Sequence, residues 1–244
     1  MSTAPGPTRL SVVIPAYNEE KRLPATLERV AGYLAASARL LPAEIVVVDD
    51  GSADATAEVV RAFQPPGGVA IRLIRLNTNR GKGAGVRTGL AASLGDRVLV
   101  SDADLSAPIE EIEALLASDA DLVVGSRGVR REMIMRRQPL ARDTMGRIFN
   151  LALRLLGLTR LRDTQCGFKL IEGGLARRLA PAMRLDGFAY DVELLARAAR
   201  SGASVVEVPV RWYHVEASRV RPLRHGLQML RDSLRVRVWL WRGR

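Results

Sequence analysis

The stretch from Val98 to Pro108, VLVSDADLSAP, sets Asp102 and Asp104 directly behind a short run of apolar and β-branched residues. Side chains two positions apart in an extended chain point the same way, so the two carboxylates could offer oxygen ligands to one hard cation. They would equally suit a turn, because Asp and Ser at a strand end bond their own backbone. Four other polar clusters also follow short apolar runs: PAYNEE at Pro15–Glu20, DDGS at Asp49–Ser52, NTNRGKGAG at Asn77–Gly85 and GSR at Gly125–Arg127. The glycine-rich cluster lacks the GxxxxGK(S/T) spacing of a phosphate loop, and no GxGxxG follows the first apolar run. With two histidines, His214 and His225, and one cysteine, Cys166, the chain spells neither a zinc site nor a histidine-activated nucleophile. The chemistry therefore falls to the acids, which suit a divalent cation bridging a diphosphate.

These clusters need elements that carry them to one place. Apolar runs at Leu10–Ile14, Ile45–Val48, Ile71–Leu76, Val98–Val100 and Leu122–Val124 alternate with helical patterns at Glu19–Ser37, Ala53–Phe63, Gly83–Leu94 and Pro108–Ala117, the last with Ser106 as its expected cap. That alternation predicts an α/β fold, a mostly parallel sheet with helices on both faces. Ligands in such sheets sit beyond the carboxyl ends of the strands, where all five clusters fall. Past Gly125 the pattern changes to an Arg-rich connector, a helix around Ile148–Leu156, another near Tyr190–Ser201 and a strand at Val205–Val210. Finally, Leu223, Leu227, Leu230, Leu234, Val238 and Trp241 recur every three or four positions, with Arg224, Arg231, Arg235 and Arg242 beside them. This is the pattern of an amphipathic helix that lies on a membrane surface or packs on the protein's own core, although LRVRVWLW also permits a strand.

Residues 1–126 carry 12 Lys and Arg against 16 Asp and Glu, whereas residues 127–244 carry 25 against 10. The net charge of +11 thus resides in the second half, which points to a polyanionic partner: nucleic acid, anionic lipid or phosphate. Aromatic residues at 5% and the lack of a nucleic-acid-binding motif count against the first, so no nucleic acid is expected. A single cysteine fits a reducing compartment, with Cys166 as a small buried hydrophobe. No run of about 18 uncharged apolar residues is present, and the start has no signal-peptide character, so a cytoplasmic protein is expected.

VVIPAYNEE, VVVDDGSADAT, NRGKGAGVRTG and SDADLS, in this order and spacing, resemble the GT-A domain of family 2 inverting glycosyltransferases. Further on, VVGSR, RDTMGRIFN, DTQCGFKL, YDVELL, EVPVRWYHVEASRV and LQMLRDSL resemble the dolichyl-phosphate glucosyltransferases, with the dolichol-phosphate mannose synthases next. The resemblance implies a Rossmann-like GT-A sheet flanked by helices and a basic helical C-terminal extension. It divides the chain into a flexible start at 1–9, a GT-A domain at 10–210 and an acceptor-loop and amphipathic segment at 211–244. It further implies that Pro15, Tyr17 and Glu19 contact the nucleotide, Val48 and Asp50 its base, and that Lys82 lies near it. Asp102, Ala103 and Asp104 would serve the ribose-diphosphate, with Mg²⁺ or Mn²⁺ on Asp102 and Asp104, and Arg127 would meet the sugar diphosphate. Asp104 and Arg127 are the expected catalytic residues. Arg142 and Arg147 match positions near a lipid phosphate, and Ser218 and Arg219 a late loop that closes over the diphosphate.

The implied reaction is metal-dependent, inverting transfer of glucose from UDP-glucose to a polyprenyl phosphate, with GDP-mannose as the alternative donor. A phosphate monoester has a second pKa of about 6, so near neutral pH the acceptor oxygen is already mostly ionised and no general base is obligatory. Eukaryotic members carry an N-terminal membrane anchor that this sequence lacks, so attachment is expected to be peripheral, at the inner face of the cell membrane. A bacterial or archaeal polyprenyl phosphate is then the expected acceptor. DTQCGFKL is expected to wall the acceptor site, with Asp163, Gln165 and Lys169 polar enough to touch sugar or phosphate. A sugar nucleotidyltransferase is disfavoured, because no glycine-rich, arginine-containing loop follows the first apolar run.

Overall fold

A computed structural model describes residues 8–136, 140–214 and 222–242. The apolar runs become strands β1 (Leu10–Ala16), β2 (Ala43–Asp49), β3 (Val69–Arg75), β4 (Arg97–Val100) and β5 (Leu122–Ser126). Two short strands, β6 (Ile134–Arg136) and β9 (Trp212–Tyr213), pair with each other, while β7 (Lys169–Glu172) and β8 (Val205–Pro209) complete a seven-stranded sheet ordered β3-β2-β1-β4-β7-β5-β8. All neighbours in that sheet are parallel except at β7, which runs antiparallel between β4 and β5. Because β1 pairs with both β2 and β4, the sheet changes direction of growth there and opens a crevice at its carboxyl end.

Alternation along the strands splits the core in two. Val12, Ile14, Ile45, Val47 and Leu99 bury one face beneath α1 (Leu23–Ala35), α2 (Thr56–Ala62) and α4 (Ile112–Leu116). Val13, Val46, Val48, Val98 and Val100 face the other way, under α3 (Lys82–Ala92), α6 (Gly173–Leu179) and α7 (Tyr190–Arg200). Each such buried side chain contributes roughly 1.5–3 kcal/mol, which explains why these strands read as continuous apolar runs. A third cluster joins α5 (Leu140–Leu155), α7 and α8 (Pro222–Trp241) through Leu153, Val192, Ala196, Val236 and Leu240.

Several local expectations change. The first helix starts at Leu23 rather than Glu19, because Glu19 to Arg22 form a turn closed by Arg22 N on Glu19 O, and Pro24 takes the first helical turn, where its missing N–H is not needed. Ser106 does not cap the fourth helix; Pro108 stands before a 3-10 turn at Ile109–Glu111 that runs into α4, and Ser106 instead bonds its amide to Asp104. The segment LRVRVWLW is helical, within α8.

α3 rides unusually close on its neighbours. A Cβ on Gly83 would strike the Leu185 carbonyl, and one on Gly89 would strike Val13. The glycines of NRGKGAG thus serve backbone approach. We expect Gly83→Ala to lower unfolding free energy by about 1–3 kcal/mol through overpacking. Gly32→Ala, on the open face of α1 with nothing within 4 Å, should raise it by about 1 kcal/mol. Urea denaturation of the two variants checks both signs.

Candidate active site

Two loops at the ends of β1 and β2 clasp each other. Asn18, at φ +51°, donates its amide to Ser52 Oγ at 2.8 Å and accepts Ala53 N at 2.8 Å, and Glu19 N donates to Thr56 Oγ1 at 2.7 Å. The Glu19 carboxylate takes both Nε and Nη2 of Arg22, at 2.6 and 2.8 Å. Pro15 and Tyr17 stand half-buried at this rim, while the Val48 side chain is wholly buried and can present only backbone. Asp50 accepts Arg80 N at 2.8 Å and Gly81 N at 2.7 Å, so its carboxylate holds the loop that leads into α3. Burial pushes the Asp50 carboxyl upward despite those two amides.

That loop delivers Lys82. The first amides of α3 do not face an open anion site, because Gly83 N and Ala84 N both donate to Asp186 O. The lysine side chain reaches the DAD turn instead, with Nζ 2.5 Å from Asp102 Oδ1 and 5.9 Å from the centre of the Tyr190 ring. Burial disfavours its charge, but Asp102, with Asp191 and Asp104 nearby, holds the ammonium above the usual lysine value. The turn itself is pinned by Thr26 Oγ1, which donates to Ala103 O at 2.7 Å. Asp104, half-buried, accepts Ser106 N at 2.9 Å on Oδ1, and Leu105 between them is left-handed at φ +46°. Both readings of DAD therefore hold together: a turn, and a pair of acids presented at the strand end.

The antiparallel course of β7 brings a second set of groups to the same edge. Gly167 lies so close to Asp102 that a Cβ would collide with the carboxylate. Lys169, fully buried, pairs with Asp191 at the start of α7 and donates to Cys166 O at 2.5 Å. Its Nζ is 6.0 Å from the Tyr190 ring centre, so both ammonium groups lie near one aromatic ring. Burial raises the Asp191 carboxyl against the pull of Lys169, and pushes the Cys166 thiol up to about 11.

At the end of β5, Arg127 is clamped by Asp163: Nε to Oδ2 at 2.7 Å and Nη2 to Oδ1 at 2.9 Å, with the Arg127 amide also on Oδ2 at 3.1 Å. Its guanidinium lies 5.2 Å from the Trp212 ring. Glu207 of β8 supports this clamp from behind, accepting Arg162 N at 2.9 Å, Asp163 N at 3.2 Å and Ser126 Oγ at 3.1 Å. Burial alone would raise the Asp163 carboxyl, but Arg127 brings it down to about 2.

The structure thus brings Pro15, Tyr17, Glu19, Val48, Asp50, Lys82, Asp102, Ala103, Asp104 and Arg127 to the carboxyl edge of the sheet. Arg147 lies exposed on α5; Arg142 belongs to α5 with its side chain outside the described ones, and Ser218 and Arg219 lie outside the described residues. Sequence reasoning did not foresee the partners that fix these groups: Asp163 and Glu207 behind Arg127, or Asp191 on Lys169. YDVELL, DTQCGFKL and VVEVPV contained the signal, as acids and a lysine set among apolar residues.

The Asp163 pair makes a pH-dependent contribution to stability. Its folded pKa of about 2 lies below the ordinary value of about 3.9, so the contribution is full above pH 4 and vanishes as pH falls toward 2. Asp163→Asn should cost about 2 kcal/mol at neutral pH, since it leaves the half-buried Arg127 guanidinium without its carboxylate. In urea denaturation the gap from wild type should narrow steadily below pH 4; a gap independent of pH would contradict the pairing.

A Glycosyl transferase family 2 model matches residues 11–178. The chain is 35% identical over 246 residues to the dolichyl-phosphate beta-glucosyltransferase of Homo sapiens, covering 95% of this chain and 76% of that protein. To the dolichyl-phosphate beta-glucosyltransferase of Saccharomyces cerevisiae it is 30% identical over 251 residues, covering 94% and 74%. Among solved structures, glucosyl-3-phosphoglycerate synthase from Mycobacterium tuberculosis in complex with phosphoglyceric acid superposes with a TM-score of 0.62 at 22% identity, covering 95% of this chain and 78% of that one. The same enzyme with Mn²⁺ and UDP-glucose gives 0.58 at 25% identity, covering 94% and 77%. These matches agree with the mostly parallel sheet, and the chain belongs to glycosyl transferase family 2.

Proposed function

We propose that this protein transfers glucose from UDP-glucose to a polyprenyl phosphate, with inversion, yielding a β-linked lipid-phosphate sugar. The observation that carries the reading is the similarity, at 30–35% identity over nearly the whole chain, to proteins named dolichyl-phosphate beta-glucosyltransferase. The site's electrostatics support it. Asp191, which enters from α7, is tied to Lys169 and is not free to act as a base. An acceptor that arrives ionised needs none.

The donor set at the DAD turn fits a hard divalent cation. Asp104 keeps a half-buried carboxylate with one oxygen oriented by Ser106, and Asp102 sits beside it, which is the small protein contribution that Mg²⁺ or Mn²⁺ accepts when substrate oxygens complete its shell. Such an ion, when bound, neutralises charge developing on the leaving nucleoside diphosphate. The chain's own groups do the remaining work. Lys82 steadies Asp102, Arg127 holds a fixed positive charge at the end of β5, and the two clasped loops shape the nucleotide rim. In-line attack by the acceptor oxygen on the anomeric carbon then inverts an α-linked donor.

The acceptor's long chain requires a lipid surface, and α5 and α8 offer one. Ile148, Leu151 and Leu155 on α5, and Leu227, Leu230, Leu234, Val238 and Trp241 on α8, are exposed; Trp241 is 79% and Leu155 82% accessible. Arg147, Arg154, Arg231, Arg235 and Arg237 are exposed on the same helices, with Arg242 just past the end of α8, suiting anionic headgroups at roughly 1 kcal/mol each. Trp239 packs inward, with the Arg184 guanidinium 5.4 Å from its ring centre. No helix among the described residues is long and apolar enough to cross a membrane.

Offered UDP-glucose and GDP-mannose in competition with a short polyprenyl phosphate, the protein should transfer glucose faster; preferential mannosyl transfer would overturn the donor assignment. EDTA should abolish turnover and Mg²⁺ or Mn²⁺ restore it, and Asp104→Ala should lower kcat by about 10²-fold or more with an unchanged melting temperature. Because deleting α8 would strip Val236 and Leu240 from the core, the surface contact is better tested by Leu227→Ser, Leu234→Ser and Trp241→Ser together. This variant should bind anionic vesicles at least about tenfold more weakly, given the apolar area lost, while still using a detergent-dispersed short acceptor. Undiminished vesicle binding would remove α8 from the membrane contact.

A further inference from the structure

Two polar groups beside the paired charges are buried with nothing to bond. Thr164 is 1% exposed, and its Oγ1 has no hydrogen-bond partner among the described residues; the same holds for the enclosed Nε2 of Gln165. An unmet buried donor costs about 1–3 kcal/mol, so two in adjacent residues need a cause. Looseness is not that cause. Asp163 is locked on Arg127, and Gln165 N donates to Asp163 Oδ1 at 3.0 Å. Cys166 O is held by Lys169, and Gly167 lies against the Asp102 carboxylate. The segment from Asp163 to Gly167 therefore runs, fastened at each step, from the Arg127–Asp163 pair to the Lys82–Asp102 pair.

The chemistry of the unmet groups differs from that of their flanks. Fixed charges on either side suit phosphate and metal, whereas a hydroxyl and a carboxamide N–H suit neutral hydroxyl groups. A hexose attached to a diphosphate presents such hydroxyls one step away from its charged group. We propose that Thr164 Oγ1 and Gln165 Nε2 hydrogen-bond hydroxyls of the hexose being transferred and set the sugar specificity of the enzyme. This rests on the reading of the chain as a hexosyltransferase that uses a sugar nucleotide. It deepens that reading by naming the residues that tell one hexose from another.

The test compares Thr164→Val, Thr164→Ser and Gln165→Met with wild type in the full chain. Each is assayed with UDP-glucose and with its 2-, 3-, 4- and 6-deoxy counterparts, and affinity for UDP alone is measured by calorimetry. Wild type should disfavour at least one deoxy donor by about 10- to 100-fold in kcat/KM, the range expected when a site built to bond a hydroxyl loses it. Thr164→Val or Gln165→Met should lower kcat/KM for the intact donor by a similar factor and bring its ratio to that deoxy donor close to one, with UDP affinity kept within about twofold. Thr164→Ser should keep the wild-type ratio. Unchanged ratios in both Val and Met variants would overturn the proposal, as would a loss of UDP affinity in parallel with activity, which would mark a merely structural role. If wild type instead prefers GDP-mannose, the UDP-glucose assignment fails by itself, and the same variants with deoxymannose donors decide on Thr164 and Gln165.

Discussion

A lysine buried without any exposure, Lys169, begins the strand that enters the sheet against its neighbours, and the geometry of the site hangs on how its charge is met. An isolated ammonium in that position could not persist; Asp191 and the Cys166 carbonyl compensate it, and removing either carboxylate or ammonium from such a pair typically costs about 3–5 kcal/mol. The bond to Asp191 ties β7 to α7, and the bond to Cys166 draws the preceding loop tightly back over the strand. The same loop meets Asp102 through Gly167 and Arg127 through Asp163. One buried charge thus links the carboxyl ends of β4 and β5, which are not adjacent in the sheet.

Around the crevice the charges come mostly in neutral couples: Lys82 with Asp102, Arg127 with Asp163, Lys169 with Asp191. Couples hold geometry well but offer little net attraction to an incoming anion, and Asp104 leaves the DAD turn negative. On the proposed function, transfer between a sugar diphosphate and a phosphate acceptor would bring two anions to that place. The missing positive charge has two sources consistent with this chain, a divalent cation at Asp104 and the arginine-rich second half. That division of labour accounts for the uneven charge between residues 1–126 and 127–244, which a uniform codon bias toward arginine would not produce.

The strand ends were legible because buried parallel strands must be continuous apolar runs, and each run here stopped at a polar cluster. Asp102, Lys82 and Arg127 were legible for the same reason. β7 was not, because KLIE is four residues long and opens on a lysine, which period-based reading assigns to a surface. Its burial is possible only through Asp191, twenty-two residues later in the chain, and no local pattern encodes that partner. NRGKGAG lacks the spacing of a phosphate loop but gives no sign of what its glycines serve instead; the carbonyl of Asp186, over a hundred residues away from Arg80, takes the amides of Gly83 and Ala84. The split of the fourth helix follows from Pro108, whose effect on the first turn outweighed the capping potential of Ser106.

α8 illustrates how far amphipathic spacing reaches. Leu227, Leu230, Leu234, Val238 and Trp241 recur at helical spacing, but so do Met229, Ser233, Val236 and Leu240, so the helix carries two usable faces and the sequence alone does not say which is inside. The structure turns the second set toward α5 and α7 and leaves the first open. A helix with apolar residues on two sides, separated by arginines, can suit two different surroundings at once. The inner face is met by protein. The outer face is bordered by cations on both flanks, so an anionic lipid surface, as the proposed acceptor requires, would suit both its apolar row and its charge.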